Sequence, residues 1–217
     1  SGHTAERINQ LEGRWIDKLK ALCKEGKVEF VGSGYEQIIS PLVPYKVNYM
    51  NQELGIESYQ KTLSLRPKVA LINEMAFSSS AVDLLKDFGY ESLIMDENNI
   101  KLSKESIPNH ASGLNNNDLP ILWSNSLMFQ KLQQYVHGDI NLDSYMEFFK
   151  KIKSSKKTFF PFYTNDVECF DYRPGRFNYE SLLNPNGEWE RIKKLMKYLQ
   201  EKEGVIWILP SEALTIL

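Results

Sequence analysis

Two carboxylates stand out by their position in the sequence. Glu74 comes just past the apolar run Val69-Ala70-Leu71-Ile72, after Asn73, and Asp166 just past Thr158-Phe159-Phe160-Pro161-Phe162-Tyr163, after Thr164-Asn165. A carboxylate at the end of a buried strand is costly unless it has a partner or a purpose. Two such groups brought to one site can divide the work of acid–base and nucleophilic catalysis, one ionised and the other carrying a proton. The other apolar runs end in similar chemistry. Tyr35-Glu36-Gln37 follows the run at 28–31, Asp96-Glu97-Asn98-Asn99 follows 92–95, Ser124-Asn125-Ser126 follows 121–123, and Pro210-Ser211-Glu212 follows 205–209. Such a rim of acceptors and donors suits a polyhydroxylated ligand, and the faces of Tyr35, Trp123 and Tyr163 suit apolar C–H surfaces. Every loop is polar, however, and Asp96 or Ser78 can equally be a helix N-cap.

These residues must be carried by alternating elements. Ile8, Leu11, Trp15, Leu19 and Leu22 repeat at three- and four-residue steps, which predicts a helix over 4–26 stopped by Gly26. Further helices are expected over 46–64, 79–88, 126–136, 142–153 and 188–202, with Arg66-Pro67 and Gly89 ending two of them. Strands are expected over 28–31, 69–72, 92–95, 121–123, 158–163 and 205–209. Strands apolar throughout and separated by helices indicate a mostly parallel sheet covered on both faces. In such folds the sites form at the carboxyl ends of strands. The stretch 98–118, rich in Asn and Ser, is expected to form part of a site rim.

The chain has 217 residues, 42% hydrophobic and 25% charged, which is the balance of a soluble globular protein. A net charge of −2 argues against nucleic-acid or anionic-membrane partners, and no run reaches the roughly 20 apolar residues of a bilayer span. Cys23 and Cys169 lie in unlike contexts, so free thiols in a reducing, cytoplasmic setting are expected rather than a disulfide or a zinc site. No cofactor is expected.

Three stretches resemble the catalytic domain of glycoside hydrolase family 57. Lys27-Val28-Glu29-Phe30-Val31-Gly32-Ser33-Gly34-Tyr35-Glu36-Gln37-Ile38-Ile39-Ser40-Pro41-Leu42 is similar to its second motif, Val69-Ala70-Leu71-Ile72-Asn73-Glu74-Met75-Ala76 to its third, and Asn165-Asp166-Val167-Glu168-Cys169-Phe170 to its fourth. The resemblance implies an α/β fold with a mostly parallel sheet, forming an incomplete, distorted (β/α)7-type barrel. It also implies a retaining glycosidase or transglycosylase acting on an α-linked glucan, with Glu74 as nucleophile and Asp166 as acid/base. It covers roughly residues 1 to 212, and residues 1–217 are expected to form one domain. The family's first motif, His-Gln-Pro, is absent, so the chain is expected to lack the first strand or strands. Asn73 stands where many relatives carry Pro or Ala.

On this reading the partner is an oligo- or polysaccharide. Tyr35, Glu36 and His110 are expected to contact it, Trp123 to stack on it, and Glu168 to tune Asp166 or hold a hydroxyl. Asp166 is expected to be raised in pKa by burial and neighbouring charge. His137, before Gly138, reads as a helix C-terminus. Arg173 and Arg176 are expected to pair with Glu168 in preference to meeting an anionic sugar. Two rivals remain: a metal-dependent polysaccharide deacetylase, for which His3, His110 and His137 lack ligand spacing, and a non-catalytic carbohydrate-binding protein on the same fold.

Overall fold

A computed structural model describes residues 1–100, 108–154, 161–171 and 187–216, the Glu168 side chain excepted. The chain divides into two compact units, one of Ser1–Trp123 with Ile208–Leu217 and the other of Ser124–Trp207.

The first unit carries helices α1 (Gly2–Leu11), α2 (Gly13–Lys24), α3 (Tyr45–Leu63), α4 (Ser79–Asp87) and the short α8 (Pro210–Ala213). Its strands are β1 (Val69–Leu71), β2 (Ser92–Asp96), β3 (His110–Ser112) and β4 (Asp118–Ser124), in the spatial order β1-β2-β4-β3. β1 and β2 are parallel, with Val69 opposite Ser92 and Leu71 opposite Ile94. β3 is an antiparallel edge, Ala111 opposite Leu119. β2 is buried at almost every position, as a strand with both faces covered must be. Tyr59, Val82, Leu93, Leu119 and Ile121 centre this unit's core.

Three expectations need correction here. The helix expected over 4–26 is two helices broken at Glu12 (φ −150°, ψ 71°), which caps the end of one and the start of the next. The break rotates the apolar stripe, so Ile16 is fully buried while Leu11 is 77% exposed. Residues 28–31 form no strand. The backbone meets β1 only at Gly32, which accepts from Leu71 N at 2.7 Å and donates to Val69 O at 2.9 Å. A Cβ at Gly32 would lie 2.4 Å from the Tyr90 hydroxyl and 2.7 Å from Pro67, so only glycine permits that approach. The upstream residues are engaged elsewhere: Phe30 packs edge-on against Tyr59, and Glu29 accepts from Ser211 N. β3 is the reverse case, a strand inside the stretch expected to be loose.

The second unit packs α5 (Ser126–His137), α6 (Leu142–Ser154) and α7 (Gly187–Glu203) around Leu132, Val136, Tyr145, Phe149, Phe170, Leu195 and Leu199. Asn125 caps α5 by accepting from Leu127 N and Met128 N, and Gly138 at φ 94° closes it. The start of the strand expected over 158–163 lies outside the described residues, and 161–163 are not strand. Residues 205–209 are not strand either. Val205 N bonds back to Leu199 O to close α7, and Trp207 packs edge-on against Phe162. Their apolar alternation is met by packing rather than by a ladder. Both cysteines are free thiols. No helix among the described residues is long and apolar enough to cross a membrane.

Candidate active site

β1 delivers its chain into a tight 3-10 turn, Asn73–Met75. Glu74 (φ 53°) and Met75 (φ 52°) are both left-handed, a conformation that costs on the order of 1–3 kcal/mol at each non-glycine residue. Glu74 is exposed. Hydrogen bonds brace the turn on two sides. The Asn73 amide donates to Ser33 O at 3.2 Å and Ile38 O at 3.3 Å, and the Asn99 amide donates to Met75 O.

The loop 33–38 that receives Asn73 is itself fastened to α3. The buried Tyr59 hydroxyl donates to Gly34 O at 2.7 Å and accepts from Ser33 N at 3.1 Å. Burial pushes the Tyr59 phenol up, against the opposing pull of these backbone bonds. Asn51 accepts from Glu36 N at 2.7 Å and donates to Glu36 O at 3.1 Å. Gly34 sits at φ 87° with Asn51 where its Cβ would be. The loop, whose side chains include Tyr35 and Glu36, is thus fixed through its backbone atoms.

Two of those side chains are already engaged with α1. The Tyr35 hydroxyl donates to Glu6 at 3.1 Å, a bond that together with burial raises its pKa. Glu36 pairs with His3 Nδ1 at 2.8 Å. Trp123, at the end of β4, is half-buried against the first core and donates from Nε1 to Pro108 O at 2.7 Å. His110 is exposed on the edge strand β3. Asp96 accepts from Asn98 N at 2.8 Å, the N-cap role weighed for it above. Tyr35, Glu36, Glu74, His110 and Trp123 all belong to the first unit, and Asn73 directly connects the Glu74 turn with the loop of Tyr35 and Glu36.

Asp166 belongs to the second unit. It is exposed, not buried as expected, and it precedes a 3-10 turn, Val167–Cys169, on ordinary extended backbone (φ −63°, ψ 129°). Its carbonyl accepts from the Tyr163 hydroxyl at 2.8 Å and the Cys169 thiol at 2.7 Å. Gln133 on α5 donates to both of those groups at 3.2 Å. Burial, with the Cys169 contact added, pushes the Tyr163 phenol well up. His137 ends α5, with Nε2 3.6 Å from the buried Glu188 and 3.3 Å from Cys169 O. Glu188 and Asp171 exchange hydrogen bonds with each other's backbone N–H at the start of α7. The Glu168 side chain, Arg173 and Arg176 lie outside the described residues.

The sequence reading missed the supports: Asn51, Tyr59 and Asn99 in the first unit, Gln133 in the second. Asn73 gave a signal only as a departure from the motif. Among the described residues no group of three or more His, Cys, Asp or Glu is placed to hold a metal.

The described residues thus form an α/β fold in which a carboxylate stands on a braced turn past β1. The family model described as Glycosyl hydrolase family 57 matches residues 1–216, and the chain belongs to that family. No curated protein matches the chain. Among solved structures it is similar to a 4-alpha-glucanotransferase from Thermococcus litoralis, with 18% identity, a TM-score of 0.71, and coverage of 100% of this chain and 31% of that one. It is also similar to a GH57-type branching enzyme from Pyrococcus horikoshii, with 17% identity, a TM-score of 0.66, and coverage of 97% and 48%. The chain therefore spans about a third to a half of the lengths of these structures. The likeness is one of fold, and it agrees with the α/β, incomplete (β/α)7-type barrel expected from the motifs.

Proposed function

We propose that this chain is the catalytic domain, residues 1–217, of a retaining glycoside hydrolase or transglycosylase acting on an α-linked glucan or related oligosaccharide. The observation that carries the reading is Glu74. It is an exposed carboxylate on a doubly left-handed turn past β1, inside the stretch 69–76 that resembles the family's third motif. Strain of that kind persists only where surrounding contacts over-determine it, and it gathers at functional sites. The two similar structures named above, a glucanotransferase and a branching enzyme, support a glucan as the substrate class.

In this mechanism Glu74, ionised, attacks the anomeric carbon. Asp166 starts protonated and gives its proton to the leaving glycosidic oxygen. It then takes a proton from the water or acceptor sugar that releases the glycosyl–Glu74 ester, restoring both carboxyl groups. Retention requires the two carboxyl groups to lie about 5–5.5 Å apart across the scissile bond. Tyr35, Glu36, His110 and Glu168 are assigned to sugar hydroxyls and Trp123 to a sugar face. Two free thiols support a cytoplasmic setting.

The test uses full-length protein and a soluble α-1,4-glucan. Glu74→Ala and Asp166→Ala should each remove most turnover while leaving the melting transition in place. Near-normal turnover in either variant overturns the assignment. A covalent glycosyl adduct on Glu74, trapped and located by peptide mass spectrometry, establishes the nucleophile directly.

A further inference from the structure

We infer that Asn73 is a positioning residue, whose carboxamide holds Glu74 in attacking geometry; this deepens the reading of Glu74 as nucleophile and rests on it. Both amide protons of Asn73 are spent on carbonyls, those of Ser33 and Ile38. Those carbonyls belong to a loop that Tyr59 and Asn51 fasten to α3, so they form a fixed abutment. On the far side of the turn, Asn99 holds the Met75 carbonyl. Between the two amides lie two consecutive non-glycine residues at positive φ. Released from Asn73, that backbone has a lower-energy right-handed alternative. Adopting it reorients the Cα–Cβ bond of Glu74 and moves its carboxylate by more than the tolerance of an in-line attack. Proline or alanine at this position has no donor for either carbonyl, so the brace depends on the asparagine this chain carries.

The experiment compares kcat and KM of full-length wild type, Asn73→Asp, Asn73→Ala and Glu74→Ala on the same soluble glucan. Asn73→Asp keeps the shape and loses both donors. The expectation is a kcat roughly 100-fold lower in both Asn73 variants, the scale of an angstrom-sized misplacement. KM stays within about 3-fold, because the interaction lost is one made in the transition state. A kcat within about 3-fold of wild type overturns the inference. So does a raised KM with kcat unchanged, which assigns Asn73 to the substrate-contacting loop alone. If neither variant melts cooperatively, Asn73→Ser, which keeps one donor, is read by the same criteria. Glu74→Ala separates the two readings. If it retains turnover, the nucleophile assignment falls and takes this inference with it. If it is inactive while the Asn73 variants are not, only this inference falls.

Discussion

The turns that present Glu74 and Asp166 are built on opposite plans. Glu74 sits on strained backbone, φ 53° followed by φ 52°, braced by the side-chain amides of Asn73 and Asn99. Asp166 sits on relaxed extended backbone, and its carbonyl is held by a tyrosine hydroxyl and a cysteine thiol that Gln133 ties to α5. In the proposed roles, a nucleophile at Glu74 must meet one carbon along one line, whereas an acid/base at Asp166 must only reach an oxygen within hydrogen-bond range. Backbone strain with rigid amide braces suits the first requirement. A softer anchor around one carbonyl suits the second.

Substrate choice is the sharpest way to break this contrast. Asp166→Ala should cost about 10²–10⁴-fold in turnover on a natural glucan. A substrate with an aryl leaving group that needs no proton should recover much of the loss in kcat/KM, which reports the first step, in Asp166→Ala and none of it in Glu74→Ala. Steady-state rates on the two substrates decide the matter, and equal recovery in both variants would erase the difference in roles.

The second unit's anchor depends on its own core. Phe149→Ala, at a fully buried position packed with Phe170 and Leu199 in one cluster, should destabilise by about 3–5 kcal/mol in denaturant unfolding. Hydrogen exchange should quicken around Asp166 and stay unchanged around Glu74. A smaller effect is expected of Tyr163→Phe. It removes one donor from the exposed Asp166 carbonyl, which keeps the Cys169 thiol, and one of the two partners of Gln133, a loss of about 0.5–1.5 kcal/mol, seen as a lower melting temperature.

The smallest predicted effect is confined to the first unit and is set by pH. Burial pushes the Asp83 carboxyl up, but bonds from the Asn117 amide, Leu114 N and Asn115 N outweigh it and hold the group below the usual aspartate range. A depressed folded-state pKa contributes stability that is complete above the unfolded value and is lost as pH falls through the folded one. Asp83→Asn should therefore lower the urea midpoint at neutral pH, and the gap to wild type should close as the buffer is taken into the acid range.

Much of this was legible in the sequence, and the misses share a cause. α3, α4 and α7 were found within a residue or two because their periodicity and their Gly and Pro stops are local. The runs 28–31 and 205–209 have strand composition, yet a strand requires a neighbouring ladder, and their side chains are engaged by Tyr59, Ser211 and Phe162 instead. β3 went unseen because three residues, His110–Ser112, are too few to show an alternation. Its register comes from β4.

The site divides along the same line. Sequence alone determined which carboxylates to single out and that Glu74 follows the apolar run 69–72, since both depend on residue order. Tertiary structure alone decided that Glu74 is left-handed, that Asn73 braces it, and that Tyr35 and Glu36 answer to Glu6 and His3. Those bonds join residues about thirty to forty positions apart, and no local propensity encodes a partner at that distance.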